Sequence, residues 1–94
     1  MLEVLITSKT RRKIITVFTK YPDYKAHVRA LAQMIKEDPG NVQRELKKLE
    51  DIGFVKASKH SNTNVYTANQ KFAIYRELQS IVLKSQASKR RIVQ

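Results

Sequence analysis

The residues best suited to chemistry lie in one short stretch, EDPGNVQRELKKLEDIGFVKAS, which runs from Glu37 to Ser58. Arginine and lysine can donate hydrogen bonds to O6 and N7 of guanine, and glutamine can pair with N6 and N7 of adenine. The candidates for such contacts, with a glycine that allows close approach of the backbone, are Gly40, Asn41, Gln43, Arg44, Lys47 and Lys48. The alternative is an ordinary surface helix, because these residue types are common in contact with solvent.

A helix from Pro39 to about Ile52 is predicted to position these side chains. Asp38 suits the N-cap, Pro39 suits the first helical position, and Gly53 suits the left-handed residue after a helix end. At about 100° per residue, one face is apolar and should pack on the core. Its members are Val42, Leu46, Leu49 and Ile52. The polar candidates occupy the opposite face, mostly in the first turns, which is where a recognition helix meets the major groove.

Apolar residues at helical spacing predict three further helices. The first is capped by Thr7 or Ser8 and ends at Tyr21-Pro22-Asp23, because a proline disfavours helical geometry in the residue before it. The second lies near Val28–Lys36 and the last near Lys71–Ser85. A short extended piece at Tyr24–His27 lies between the first two helices.

Two short strands are predicted at Phe54–Ser58 and Asn64–Ala68, with a polar turn between them. Two consecutive helices joined by a tight connection suggest a helix-turn-helix, and the hairpin after them suggests a wing. We therefore expect a mainly α fold with a small β-hairpin, a winged helix-turn-helix. It should occupy residues 1–85, including a C-terminal dimerisation helix, with a flexible basic tail at residues 86–94.

Composition limits both the class of protein and its partners. The chain has 94 residues, enough for one domain, and 41% of them are hydrophobic, which suits a folded protein. Its 19 Lys and Arg against 8 Asp and Glu give a net charge of +11, which favours a polyanionic partner, most often nucleic acid. No apolar run is long enough to span a membrane, and no signal peptide is evident. We expect a cytoplasmic protein that does not enter the membrane.

Cofactor, metal and enzyme chemistry find little support in the sequence. There is no cysteine, so no disulfide or thiolate metal site can form. His27 and His60 lie far apart in the chain and lack local carboxylate partners. Paired carboxylates, a nucleophile with its base and a glycine-rich phosphate loop are not evident. We therefore expect no metal, no cofactor and no enzymatic activity, and the sequence identifies no small-molecule effector.

The pattern resembles the winged helix-turn-helix of small bacterial and archaeal regulators of the ArsR and MarR type. The resemblance rests on LITSKTRRKIITVF at the start, on VYTANQKFAIYRELQSIVLKS towards the end, and on Leu31-Ala32, Val42, Leu46, Leu49 and Gly53-Phe54-Val55 between them. It implies a dimeric transcriptional regulator that reads double-stranded DNA with Asn41, Gln43, Arg44 and Lys47. It also implies that the wing tip touches the backbone or the minor groove. Metal-sensing members use cysteines, which this chain lacks.

Basic residues outside the third helix are candidates for further DNA contacts. On the wing these are Lys56, Lys59 and His60, with Asn62 as a polar neighbour. Arg11 and Arg12 at the start of the first helix are candidates for phosphate contacts, as are Lys89, Arg90 and Arg91 in the tail. A solvated surface is the alternative in each case, and for the tail improved solubility serves equally well.

The last helix is apolar over a broad arc, which suggests a dimer interface. Together with the start of the chain it supplies Leu2, Leu5, Tyr75, Leu78, Ile81 and Val82. Packing within a single chain is the alternative. For function, the sequence favours a DNA-binding transcriptional regulator. The alternative is a winged-helix adaptor, or an RNA-binding or antitoxin-like interaction module, because one fold serves many functions.

Overall fold

The computed structural model describes the backbone of residues 8–93 and the side chains of residues 8–84. Three helices come first: α1 (Lys9–Lys20), α2 (Val28–Ile35) and α3 (Pro39–Asp51). Helices α2 and α3 are joined by a short turn, as a helix-turn-helix requires.

A two-stranded antiparallel hairpin and a final helix complete the fold. Strands β1 (Val55–His60) and β2 (Thr63–Ala68) pair with Val55 opposite Ala68. Ala26, between α1 and α2, adds an isolated antiparallel bridge to Tyr66. Helix α4 (Tyr75–Val93) follows. The order of elements confirms the predicted winged helix-turn-helix, mainly α with a β-hairpin wing.

The core lies where α1, α2 and α3 meet. Ile14, Phe18, Leu31, Val42 and Leu46 are fully buried there. Burial of an aliphatic or aromatic side chain of this size contributes about 1.5–3 kcal/mol each. The burial of these regularly spaced residues therefore holds α3 against the other two helices.

The helix ends follow their predicted chemistry. The Ser8 hydroxyl accepts the backbone N–H of Arg11 at 3.2 Å, and a carboxylate oxygen of Asp38 accepts that of Asn41 at 3.0 Å. Gly53 has φ of +91°, a conformation that a side chain would strain. These local signals determine where α1 begins and where α3 begins and ends.

The prediction that Ile52 packs on the core was wrong, because its side chain is 62% exposed. Helix α3 ends at Asp51, so Ile52 occupies the cap where the chain begins to turn away. The N–H of Phe54 donates to the carbonyl of Leu49 at 2.9 Å and carries the Phe54 ring into the core instead. An apolar residue just past Gly53 thus takes the buried place that the helical period assigned to Ile52.

The hairpin is longer and its turn tighter than predicted. The turn consists of Ser61 and Asn62, whose φ angles are +50° and +68°. Two consecutive left-handed residues suit a two-residue hairpin turn, because their twist matches that of the strands. Lys59 and His60 consequently lie on β1 rather than in the turn.

Helix α4 begins later than predicted and extends further. Residues 69–74 form turns instead, in which the Asn69 side chain accepts the N–H of Lys71 at 3.2 Å and donates to the carbonyl of Gly53 at 2.8 Å. The backbone is helical to Val93, through residues predicted to be a flexible tail. Among the helices in the described range, none is both long and apolar enough to cross a membrane.

Candidate nucleic-acid interface

Helix α3 and the hairpin together form a concave face. It has a volume of about 710 Å³. Helix α3 supplies Gly40, Gln43, Arg44, Lys47, Lys48 and Glu50 to its lining, and the hairpin supplies Ala57, Asn64 and Tyr66. Five of the six residues predicted on the recognition helix therefore share one surface with the wing.

Helix α3 presents its donors to solvent and buries its other side. Val42 and Leu46 are 0% exposed, whereas Gln43, Arg44 and Lys47 are exposed. The amide oxygen of Asn41 accepts a hydrogen bond from the guanidinium of Arg44, one helical turn further on. Asn41 therefore orients Arg44 along the helix surface, and it is itself half-buried.

Glycine suits position 40 for a structural reason, in addition to the predicted close approach of the backbone to DNA. A Cβ atom at this position would lie 2.9 Å from Oδ2 of Asp38. That oxygen is the one that caps α3 by accepting from Asn41. A side chain at position 40 would therefore disturb the cap at the end of the helix that faces the groove.

The hairpin register divides the predicted wing residues between two faces. Lys59 pairs with Asn64, and Ala57 pairs with Tyr66. Directly paired residues project from the same face of a sheet, and alternate residues share a face. Lys59 therefore projects on the side of the concave face, whereas Lys56 and His60 project on the other side. Asn62 is exposed in the turn.

The basic start of α1 makes ion pairs within the chain. Nη2 of Arg11 lies 2.8 Å and 3.0 Å from the two carboxylate oxygens of Glu45, which is 7% exposed. Nζ of Lys48 lies 4.0 Å from Glu45. Arg12, which follows Arg11 on α1, is half-buried. A contact of Arg11 or Arg12 with a phosphate stays a prediction.

A second network joins α1 to the turn between α2 and α3. Nζ of Lys13 donates to Glu37 at 2.6 Å and to the carbonyl of Ile35 at 2.8 Å, and the hydroxyl of Thr10 donates to Glu37 at 3.2 Å. The hydrogen bond from Lys13 is the main cause of a lowered pKa of Glu37, partly opposed by its desolvation. Both networks tie α1 to the helix-turn-helix.

Sequence reasoning missed Glu37 and Glu45 as parts of the site. Glu45 carried a signal that could have been used, because at about 100° per residue it falls between Leu49 and Ile52 on the apolar face of α3. A carboxylate in such a position needs a buried partner. Nothing in the sequence shows that the partner is Arg11, which lies on another helix.

The residues predicted to form a dimer interface are divided by the structure. Tyr75 and Val82 are 3% and 1% exposed, and so belong to the interior of a single chain. Leu78 and Ile81 are half-buried and line an apolar groove of about 420 Å³, beside the exposed Ile74. Predicted residues outside the described side chains are Leu2, Leu5, Lys89, Arg90 and Arg91.

The described part of the chain contains no group of three or more His, Cys, Asp or Glu that could hold a metal ion. His27 is the N-cap of α2, and its side chain makes no capping hydrogen bond there. His60 lies on β1.

The fold and its concave face define a winged helix-turn-helix domain. No protein-family model matches the sequence, and no curated protein sequence is significantly similar to it. Among solved structures, Streptococcus pyogenes AdcR, an adhesin competence repressor, superposes with a TM-score of 0.74 at 10% identity. The match covers 98% of this chain and 68% of AdcR.

Two further solved structures have the same fold. A Lactococcus lactis ZitR variant in complex with DNA matches with a TM-score of 0.66 at 17% identity, over 92% of this chain and 59% of that chain. A Methanosarcina mazei Go1 protein, described as a possible transcriptional regulator, matches with a TM-score of 0.66 at 22% identity, over 94% of this chain and 78% of that chain. This chain thus spans about three fifths of the length of ZitR, a zinc-responsive MarR family member. The predicted resemblance to the MarR type is confirmed as a likeness of fold.

Proposed function

We propose that the protein is a sequence-specific, double-stranded DNA-binding transcriptional regulator that acts as a dimer. The observation that carries this proposal is the concave face, on which exposed donors of α3 stand opposite the hairpin. A winged helix-turn-helix places its second helix in the major groove. The solved complex of ZitR with DNA supports the proposal, because ZitR has this fold.

The chemistry of the face suits base edges. Arg44 and Lys47 supply hydrogen-bond donors for guanine, and Gln43 supplies both a donor and an acceptor for adenine. Asn41 restricts the guanidinium of Arg44 before DNA arrives, so less side-chain entropy is lost on binding. Lys59 and Asn64 would meet the adjacent backbone or minor groove, and their direct pairing on one face of the hairpin supports this contact.

The proposed dimer would use the apolar surface of α4 near Ile74, Leu78 and Ile81. Ile74 is 50% exposed and Ile52, across the groove, is 62% exposed, so a partner would remove large apolar side chains from water. In such a dimer the two α3 helices would address half-sites about 34 Å apart. The proposed operator is therefore an inverted repeat with a spacing of about one helical turn.

Selection of bound sequences from random duplex DNA tests the proposal. The selected site should then bind the wild type tightly, and Arg44→Ala and Lys47→Ala should each weaken binding by about 1–3 kcal/mol if they contact bases. Lys71→Ala is the matched control, since Lys71 is exposed and does not line the concave face. The dissociation constants should be measured at several salt concentrations.

Three results would contradict the proposal or part of it. Unchanged binding of the selected site by both α3 variants would mean that this helix does not read the DNA sequence. Binding that disappears at moderate salt, with no sequence emerging from the selection, would instead indicate an adaptor or another interaction module without sequence reading. A size measurement that finds only monomer at micromolar concentration would contradict the dimer.

A further inference from the structure

An ion pair joins the basic start of α1 to the middle of α3. Glu45 lies between Arg44 and Leu46 in the sequence, yet its side chain is on the buried side of the helix and 7% exposed. One nitrogen of Arg11 lies within 3.0 Å of both of its carboxylate oxygens. A carboxylate with so little access to water is stable when a cation and hydrogen bonds compensate it.

The contacts of α3 with the core are apolar. Val42 and Leu46 are fully buried there, and the hydrophobic effect that favours their burial has no preferred direction. The guanidinium of Arg11 has fixed donor directions, and its bonds to Glu45 are charge-assisted. The pair therefore opposes rotation of α3. Arg44 directly precedes Glu45, so any rotation of the helix would also move Arg44.

We infer that Arg11 is a positioning residue that sets the orientation of α3 through Glu45, and that it is not a phosphate contact. This inference rests on the proposed reading of DNA by α3. The Arg11–Glu45 pair remains closed in the DNA complex. If Arg11 left for a phosphate, Lys48, whose Nζ is 4.0 Å away, would be the one remaining cation paired with the buried Glu45 among the described residues.

Two variants with opposite changes of charge test the inference. Arg11→Gln removes a positive charge and Glu45→Gln removes a negative one, but both break the same pair. Each is expected to lower the ratio of affinities for the selected site over random duplex by about tenfold, as one weakened base contact would. The double variant Arg11→Gln/Glu45→Gln should lose no more than either single variant, because both act on one interaction.

Controls separate charge from position. Lys71→Gln removes one positive charge outside the concave face, and Asp51→Asn removes one negative charge from the exposed end of α3. Both should leave the selectivity ratio unchanged. Arg11→Lys keeps the charge but loses the planar guanidinium with its fixed donor directions, so it should retain the fold and show a smaller loss of selectivity than Arg11→Gln. It also serves as the test variant if Arg11→Gln does not fold.

A phosphate contact would give a different set of results. Arg11→Gln would then weaken binding to the selected site and to random duplex equally, and it would reduce the slope of log K against log salt by about 0.9. Glu45→Gln would strengthen binding to both DNAs. That outcome overturns the inference.

Absence of any preferred site for the wild type would instead overturn the proposed function. The inference is then judged on the protein without DNA, from residual dipolar couplings that report the orientation of α3 relative to α1, including its rotation about its own axis. That orientation should change in Arg11→Gln and in Glu45→Gln, and an unchanged orientation in both would overturn the inference.

Discussion

Replacing Tyr75 by phenylalanine removes one hydroxyl from the interior and tests how α4 is joined to α1. Tyr75 is 3% exposed, and its hydroxyl donates to the carbonyl of Phe18 at 2.6 Å. In a continuing helix that carbonyl would accept from the residue four positions later, which is Pro22 and has no N–H. The tyrosine thus supplies the donor that the chain itself lacks at the end of α1.

The expected loss follows from that geometry. The ring of residue 75 remains, so little packing is lost, but a buried carbonyl is left without its donor. An unsatisfied buried group of this kind costs about 1–3 kcal/mol. For a domain of this size, each kcal/mol corresponds to about 4–8 °C in Tm. The side-chain amide of Gln79 donates to the neighbouring carbonyl of Thr19 at 2.8 Å.

Urea denaturation followed by circular dichroism measures the effect. The transition midpoint of Tyr75→Phe should fall while its slope stays the same, as expected for a change of stability without a change of exposed surface. Tyr21→Phe is the matched control, since it removes the same atom from a side chain that is 56% exposed, and it should change stability by no more than about 0.5 kcal/mol. Equal stability of the two variants would refute the proposed role of the hydroxyl.

The pH dependence of Tyr75→Phe gives an independent check. Burial, followed by the charge of Asp23, raises the pKa of Tyr75 above its usual value near 10. A raised pKa in the folded state means that the wild type loses stability as the pH rises above about 10, where the unfolded chain ionises first. The difference between wild type and Tyr75→Phe should therefore shrink above that pH.

Three further predictions concern the hairpin, the α1 network and the apolar surface. Lys59→Gln should reduce the slope of log K for DNA against log salt by about 0.9 and Lys56→Gln should not, and equal effects would contradict their assignment to opposite hairpin faces. Because the pKa of Glu37 is lowered on folding, Glu37→Gln should destabilise the protein at neutral pH, and this difference should vanish as the pH falls below 4.5 and through the folded-state pKa. A difference that persists in acid would mean that the carboxylate charge is not its cause. Ile74→Glu should convert dimer to monomer in sedimentation, whereas Met34→Glu, which changes a similarly exposed side chain on α2, should not, and an effect of both or of neither would argue against the α4 interface.

The parts of the fold that could be predicted depend on neighbouring residues. Asp38 caps α3 through a residue three positions away, and Gly53 ends it through its own backbone conformation. The apolar spacing of α1 and α3 likewise reports burial along one helix. Such signals act within a turn or two of chain, so a sequence displays them directly.

The missed features depend on residues brought together from distant positions, or on unusual turn chemistry. Ser61-Asn62 forms a tight left-handed turn without glycine. The sequence therefore predicted a longer loop and shorter strands than the structure has. The pair of Arg11 with Glu45 joins two helices that the sequence separates by the whole of α2. No local pattern specifies which cation faces a buried acid.

The net charge of +11 indicates a polyanionic partner but does not locate it. Arg11, which was predicted to contact a phosphate, and Lys13 on the same helix bond to carboxylates of the same chain. The lining of the concave face has a different balance, with Arg44, Lys47 and Lys48 against Glu50. Those cations project into an open groove beside exposed amide groups, where an anion can approach them. The unbalanced charge of this face, more than the total charge of the chain, is the physical reason to expect DNA there.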